Sequence, residues 1–111
     1  MPKLVFRSAA RKDLAGIARY IAREDGQEAA DAFMDKIGSH CARLASLPGR
    51  LGRPRPELSG LGKDYRSTPF GNYTIFFRYA DLEGPRSHLY IVGIVGASRD
   101  IEAYLKDHPL N

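Results

Sequence analysis

Four basic residues in the second half of the sequence could form an anion-binding surface. They are Lys63, Arg66, Arg78 and Arg99. Guanidinium and ammonium groups bind carboxylates and phosphates, so this surface would contact an acidic target or a phosphate. The alternative is that these charges are only solvated at strand ends, as most surface charges are. Both interpretations stay open at this point.

The other reactive side chains carry weaker signals. The histidines His40, His88 and His108 have no partner at the spacing of a catalytic or metal-binding motif, so we expect structural or surface roles. Cys41 falls on an apolar helical stripe and, as the only cysteine, cannot form an intrachain disulfide. The segment Gly60-Leu61-Gly62-Lys63 lacks the glycine spacing and the hydroxyl of a P-loop. We therefore expect no metal and no cofactor.

Composition is that of one ordinary globular domain. The chain has 111 residues, of which 43% are hydrophobic and 27% charged. The formal net charge of +4 favours acidic partners, whether nucleic acid, an anionic membrane or an acidic protein. No apolar run is long enough for a signal peptide or a membrane helix, so we expect a soluble, cytoplasmic protein without a membrane partner.

The positive charge is concentrated in two segments. Residues 1–25 carry six Lys and Arg against three Asp and Glu, and residues 50–66 carry five against two. The remaining segments are balanced or slightly acidic. The basic excess therefore lies in the N-terminal quarter and in a central connector.

The first half of the sequence predicts a short strand and two amphipathic helices. The strand is Leu4-Val5-Phe6, and Ser8 is the expected N-cap of the first helix. Apolar residues then recur at helical spacing until Gly26, which ends the helix. A second helix is expected from about Glu28 to Ser46. Two such helices joined by a short turn form an antiparallel hairpin.

The second half predicts β-structure. Residues 49–64 are rich in glycine and proline, so we expect a connector without helix or strand interior. A short strand is predicted over 64–68 and is ended by Pro69. Stronger strands follow at 73–79 and 88–95. The last is apolar on both faces, which is typical of an interior position in a sheet.

The order of elements is β-α-α-β-β-β-α, with a final short helix beginning near residues 98–100. The predicted fold is α+β, with the helical hairpin covering one face of a small, mainly antiparallel sheet. In the strand at 73–79, alternation separates Tyr73, Ile75, Phe77 and Tyr79 from Thr74, Phe76 and Arg78. We expect the other face of the sheet to be partly open unless a partner covers it.

Several short fragments follow one another along the sequence in a characteristic order. They are Ser8 to Ile17 with Tyr20, Leu47-Pro48, the connector from Glu57-Leu58 to Tyr65-Arg66, Gly71 to Arg78, Ile94-Val95-Gly96, and Arg99-Asp100-Ile101. Together they resemble the RelE/ParE superfamily of toxins from toxin–antitoxin systems. The resemblance runs from Leu4 to about Leu105. The first-helix pattern and the last fragment are most similar to the ParE branch.

The resemblance implies one of two activities. RelE-like members are ribosome-dependent mRNA endonucleases, whereas ParE-like members share the fold and inhibit DNA gyrase without nuclease activity. Resemblance to RelE implies catalytic roles for Arg66, Arg99 and Tyr104, with the tyrosine as acid or base. Thr74 and Ser98 stand where arginines are common in that branch, so the set is incomplete. The simpler interpretation of Tyr104 is an aromatic residue that docks its helix.

We therefore expect a ParE-like toxin of the plasmid-stabilization type, without catalytic residues. Its expected target is DNA gyrase, and its expected partner is an acidic, ParD-like antitoxin. The antitoxin is expected on the helical hairpin and on an exposed edge or face of the sheet, where it buries apolar residues or adds a strand. A RelE-like interferase is the alternative, and a toxin fold that only binds its partner is a third interpretation. Direct binding of nucleic acid is left open.

Overall fold

Two long helices follow a short N-terminal strand in the computed structural model, which describes residues 2–56 and 64–96. Strand β1 is Lys3–Phe6, helix α1 is Ser8–Asp25 and helix α2 is Gln27–Ser46. Only Gly26 separates the helices, and its φ of 97° is a conformation that glycine adopts without strain. The two helices pack against each other, which confirms the predicted hairpin.

Helix α1 begins one residue earlier than expected. Ser8 is the first helical residue, and Arg7 is the N-cap, with an extended backbone and no capping hydrogen bond from its side chain. The prediction that Ser8 caps the helix is therefore wrong. The reason is that Arg7 still belongs to the sheet, because its N–H donates to the carbonyl of Ile91 at 2.9 Å.

Five strands form one sheet in the order β1-β5-β4-β3-β2. Strand β2 is Arg53–Pro54, β3 is Tyr65–Phe70, β4 is Tyr73–Ala80 and β5 is His88–Gly96. Strand β1 is parallel to β5, and the other three neighbouring pairs are antiparallel. The α+β fold with a mainly antiparallel sheet is therefore confirmed, and β5 lies in the interior as its apolar sequence predicts. The final helix predicted to begin near residues 98–100 lies outside the described residues.

Two proline-containing segments differ from the prediction. The connector at 49–64 was expected to have no strand, yet it contains β2, which pairs with Arg66 and Ser67. Strand β3 does not end at Pro69 but continues to Phe70. Proline is tolerated at the edge of a sheet, where no ladder donor is needed. Strand β2 is such an edge, and beyond Ser67 no described strand pairs with the outer side of β3.

The main core lies between the helices and the sheet. Its buried members are Ala10, Leu14, Ile37, Cys41, Leu44, Ala45, Ile75, Phe77, Tyr79, Leu89, Ile91 and Ile94. The predicted alternation of β4 is confirmed, since Ile75, Phe77 and Tyr79 belong to this cluster. Burying a side chain such as Leu or Phe stabilises a fold by about 1.5–3 kcal/mol, so this cluster fixes the hairpin on the sheet.

The side of the sheet away from the helices, here called the second face, has a smaller cluster. Its buried residues are Tyr65, Phe76, Ala80, Tyr90, Val92 and Val95. The expectation of a partly open face is therefore wrong for these residues. Part of the cover comes from arginines, because the Arg55 guanidinium lies 5.7 Å from the ring centroid of Phe76 and that of Arg78 lies 4.7 Å from that of Tyr90.

Candidate partner-binding surface

One row of side chains crosses the second face at right angles to the strands. The register places Val5 of β1, Tyr90 of β5, Arg78 of β4 and Tyr65 of β3 directly beside one another. Side chains at opposed positions of neighbouring strands contact each other. The row therefore sets one guanidinium group between two tyrosines in the interior of the sheet.

A second guanidinium group reaches the ring of Tyr90. The Cζ atoms of Arg78 and Arg7 lie 4.7 Å and 4.9 Å from its ring centroid, both within the range of a cation–π interaction. Arg7 reaches this position because its extended backbone continues the alternation of β1 for one residue before α1 begins. The junction between strand and helix thus contributes a charge to the middle of the second face.

Polar atoms of this row are buried without a hydrogen-bond partner. They are Nε of Arg78 and the hydroxyl of Tyr65, as far as the described parts of the chain are concerned. None of the strand residues that alternation places on this face is Asp or Glu. Within residues 2–56 and 64–96, no carboxylate forms an ion pair with Arg7 or Arg78. This part of the face is therefore positively charged.

The positive charge continues towards β2. The backbone N–H of Arg55 donates to the carbonyl of Tyr65 at 2.8 Å, and its Nε donates to the hydroxyl of Ser67 at 2.7 Å. Arg53 pairs with Ser67 in the register and so shares its face. Four arginines line this face, and we call them the arginine surface: Arg7, Arg53, Arg55 and Arg78.

The structure separates the residues that were expected to form a basic surface. Arg78 belongs to the arginine surface, but Arg66 pairs with Phe77 and so faces the helix side of the sheet. There Nε of Arg66 donates to the Asp64 carboxylate at 3.0 Å, and its Nη1 donates to the carbonyl of Arg50 at 3.2 Å. Outside the described residues lie Lys63, Arg99 and Tyr104.

Sequence reasoning missed Arg7 and Arg55 as members of this surface. Both are distant from Arg78 along the chain, and one lies in a segment assigned to a connector. The available signal was the charge distribution, because the two segments with a basic excess supply Arg7, Arg53 and Arg55. That signal identifies segments, whereas the register of the sheet identifies the residues.

The helix side of the sheet carries another arginine pair, and this pair has its own carboxylate. The Cζ atoms of Arg50 and Arg86 lie 5.6 Å and 4.8 Å from the ring centroid of Tyr79. The Asp81 carboxylate accepts hydrogen bonds from Nη2 of Arg50 at 3.2 Å and from the backbone N–H of Arg86 at 2.7 Å. The bond from Arg86, together with the charge of Arg50, lowers the pKa of Asp81. We call these four residues the Tyr79 cluster.

A groove of about 330 Å³ lies between α1 and the end of β5. Gly16 and the half-exposed Tyr20 line its α1 side, and Tyr73 lines its sheet side. Strand β1 pairs with β5 only as far as Ile91, so no strand of residues 2–56 and 64–96 pairs with this edge of β5 beyond Ile91. A groove beside a strand edge can accept an extended peptide.

The remaining candidates for chemistry among the described residues have structural surroundings, and His108 lies outside those residues. Burial raises the pKa of Cys41 to about 12, which makes its thiol a poor nucleophile. The ring of His40 packs 5.2 Å from that of Phe70, and Nδ1 of His88 lies 2.7 Å from the hydroxyl of Ser87. In the described part of the chain, no three His, Cys, Asp or Glu residues are grouped as metal ligands. None of its helices is long and apolar enough to cross a membrane.

Comparison with known proteins gives one family. The family model described as "ParE toxin of type II toxin-antitoxin system, parDE" matches residues 4–101. No curated protein matches the chain. The matched range contains both helices, nearly all of the sheet and the whole arginine surface.

Proposed function

Because the chain belongs to the ParE toxin family of type II toxin–antitoxin systems, we propose that it inhibits DNA gyrase and that an acidic, ParD-like antitoxin neutralises it. The family itself implies an antitoxin partner. We propose three further points: gyrase is the target, the antitoxin is acidic, and the compartment is the cytoplasm.

The arginine surface carries the proposal of an acidic protein partner. It presents four guanidinium groups on one face, and alternation places no Asp or Glu among the described strand residues of that face. Complementary charge accelerates association and selects the partner. An acidic antitoxin segment would meet this surface, and the groove between α1 and β5 offers a neighbouring edge for an added strand.

The position of Thr74 supports gyrase inhibition over RNA cleavage. Thr74 lies opposite Pro69 and Val95 in the register, on the same face as Arg78. An interferase needs positive charge on the phosphorane that forms during attack by the 2′-hydroxyl. A neutral hydroxyl at this position supplies none, so the basic set of a RelE-like enzyme is incomplete here.

A RelE-like mRNA interferase is the second candidate, and the arginine surface is the observation that favours it. Guanidinium groups along one face of a sheet would bind an RNA phosphate. This candidate uses Arg66, Arg99 and Tyr104, of which Arg66 faces the helix side and is bound to Asp64. Substitution Tyr104→Phe would abolish cleavage in this case and leave the fold intact.

Purified protein added to a gyrase supercoiling assay tests the proposal. We expect loss of supercoiling, restored when the product of the neighbouring antitoxin reading frame is added. Relaxation by a type I topoisomerase serves as the control and should not change. Ribosome-dependent mRNA cleavage with unaffected gyrase would establish the interferase instead. Absence of both effects, with harmless overexpression, would leave a fold that only binds its partner.

A further inference from the structure

Among the described residues, two arginine pairs lie close to a tyrosine ring, and one of these pairs has a carboxylate beside it whereas the other does not. In the Tyr79 cluster, the Asp81 carboxylate lies on Arg50 and on the backbone of Arg86. At Tyr90, Arg7 and Arg78 approach the ring as closely, but no carboxylate of the described residues joins them. The Tyr79 cluster therefore shows what the Tyr90 pair lacks.

The incomplete pair is unfavourable as it stands. Nε of Arg78 and the neighbouring Tyr65 hydroxyl are buried and make no hydrogen bond with the described residues, which is also true of Nε of Arg86 in the Tyr79 cluster. A buried donor without an acceptor loses its hydration and gains nothing in return. Two positive charges beside one ring also repel each other. A bound anion would offset this repulsion, as Asp81 does beside Tyr79, so these side chains are arranged for a ligand.

We propose that Arg7 and Arg78 form a binding site for one Asp or Glu side chain of the antitoxin, beside the ring of Tyr90. This inference rests on the proposed function in that the partner is an acidic antitoxin. The carboxylate would accept hydrogen bonds from the terminal Nη groups of Arg7 and Arg78, as Asp81 accepts one from Nη2 of Arg50 in the Tyr79 cluster. Arg7 and Arg78 would then be the residues of the arginine surface that select the partner.

Burial favours a single side chain over a nucleic-acid backbone as the occupant. Arg78 lies on β4, an interior strand with β3 on one side and β5 on the other, and the residue is only partly exposed. Phosphates of DNA or RNA are spaced along an exposed, bulky backbone and are bound by exposed charges. A carboxylate on a flexible stem can reach a recessed donor, so we assign the site to protein.

The test uses two probes of similar charge, a peptide of about ten glutamates and a thymidine oligonucleotide of about ten residues. Each is titrated into the ¹⁵N-labelled full chain, and the Nε–Hε resonances of the arginines are followed. We expect the peptide to shift the resonances of Arg7 and Arg78. Arg78→Lys keeps the charge but loses the planar guanidinium group, so the affinity for the peptide should fall about tenfold. Arg43→Lys, on the exposed side of α2, should change it less than about twofold.

Three results would overturn the assignment: unmoved Arg78 resonances, equal affinities of Arg78→Lys and Arg43→Lys, or tighter binding of the oligonucleotide at the same resonances. If Arg78→Lys does not fold, Arg7→Lys gives the same comparison from the end of β1. The gyrase assay on the wild-type protein is read separately. Inhibition of gyrase without a shift at Arg78 would remove this inference alone, and a shift without inhibition would remove only the proposed target.

Discussion

The Asp13 carboxylate accepts a hydrogen bond from the backbone N–H of Ile94, with 2.9 Å between Oδ2 and N. This bond joins α1 to β5 just past the point where β1 stops pairing, at Ile91. A bulge lies at the same place, because Phe76 pairs with Gly93 and Phe77 with Ile91, which leaves one residue of β5 without an opposite. The helix thus satisfies a backbone donor of β5 at a position where no described strand pairs with this edge.

Substitution Asp13→Ala should therefore destabilise the protein. A hydrogen bond to a charged group contributes about 1.5–3 kcal/mol, and we expect a loss of this order in the free energy of unfolding. Asp35→Ala, at an exposed position of α2, is the matched control and should change stability by less than about 0.5 kcal/mol. Urea unfolding of the three proteins makes the comparison, and equal midpoints would contradict the role of Asp13.

The parts of the fold that the sequence predicts are those that depend on local residue patterns. The alternation around Phe77 and the helical stripe through Leu14 and Ile37 follow from nearest neighbours, and the structure confirms them. The convergence of Arg7 and Arg78 on Tyr90 depends on the pairing of β1 with β5, which no local pattern encodes. The register of β3 with β4 is equally non-local, and it places Arg66 on the face opposite to Arg78, with which sequence reasoning grouped it.

The short elements escaped prediction for a related reason. Strand β2 has two residues, one of them Pro54, so it shows no alternation and carries a residue that usually excludes strands. It pairs with Arg66, whose Nη1 also donates to the carbonyls of Arg50 and Gly52 in the connector. Such a contact becomes visible only when the register of β3 is known.

Acid should weaken the Tyr79 cluster through Asp81. Its pKa is lowered in the folded protein, so the ionised form stabilises the fold above the usual pKa of aspartate, and this contribution is lost as the pH falls through the lowered value. Asp81→Asn should be less stable than wild type at neutral pH, and the difference should shrink at about pH 3. Denaturant unfolding at both pH values measures this, with Asp35→Asn as control. A difference independent of pH would contradict it.

Gly52 should not tolerate a side chain. Its φ is 82°, and a Cβ atom there would lie 2.5 Å from Cζ of Phe77 and 2.9 Å from the carbonyl oxygen of Ser67. We expect Gly52→Ala to lower the free energy of unfolding by at least about 2 kcal/mol, because strain and overlap add. Gly38→Ala meets open space within α2 and should instead raise stability by about 0.5–1 kcal/mol. Thermal unfolding of both variants distinguishes them, and a loss in Gly38→Ala would contradict the assignment.

Cys41 should report on the opening of the core. Its thiol is fully buried, and its pKa of about 12 leaves almost no thiolate at mildly alkaline pH. We expect a thiol-specific reagent to label the native protein only at the rate of unfolding, and to label it at once in denaturant. Rapid labelling of the native protein would contradict the burial of this residue on the core side of α2.

The parallel pairing of β1 with β5 has a consequence for the time at which the toxin becomes complete. Lys3 pairs with His88 and Phe6 with Ile91, so nearly the whole described chain lies between the partners. Contacts between such distant segments form late in folding, since a long loop must close first. During synthesis, Arg7 leaves the ribosome well before Tyr90, and the two meet only after β5 has emerged. An antitoxin that recognises Arg7 and Arg78 together would therefore bind finished toxin and ignore the nascent chain.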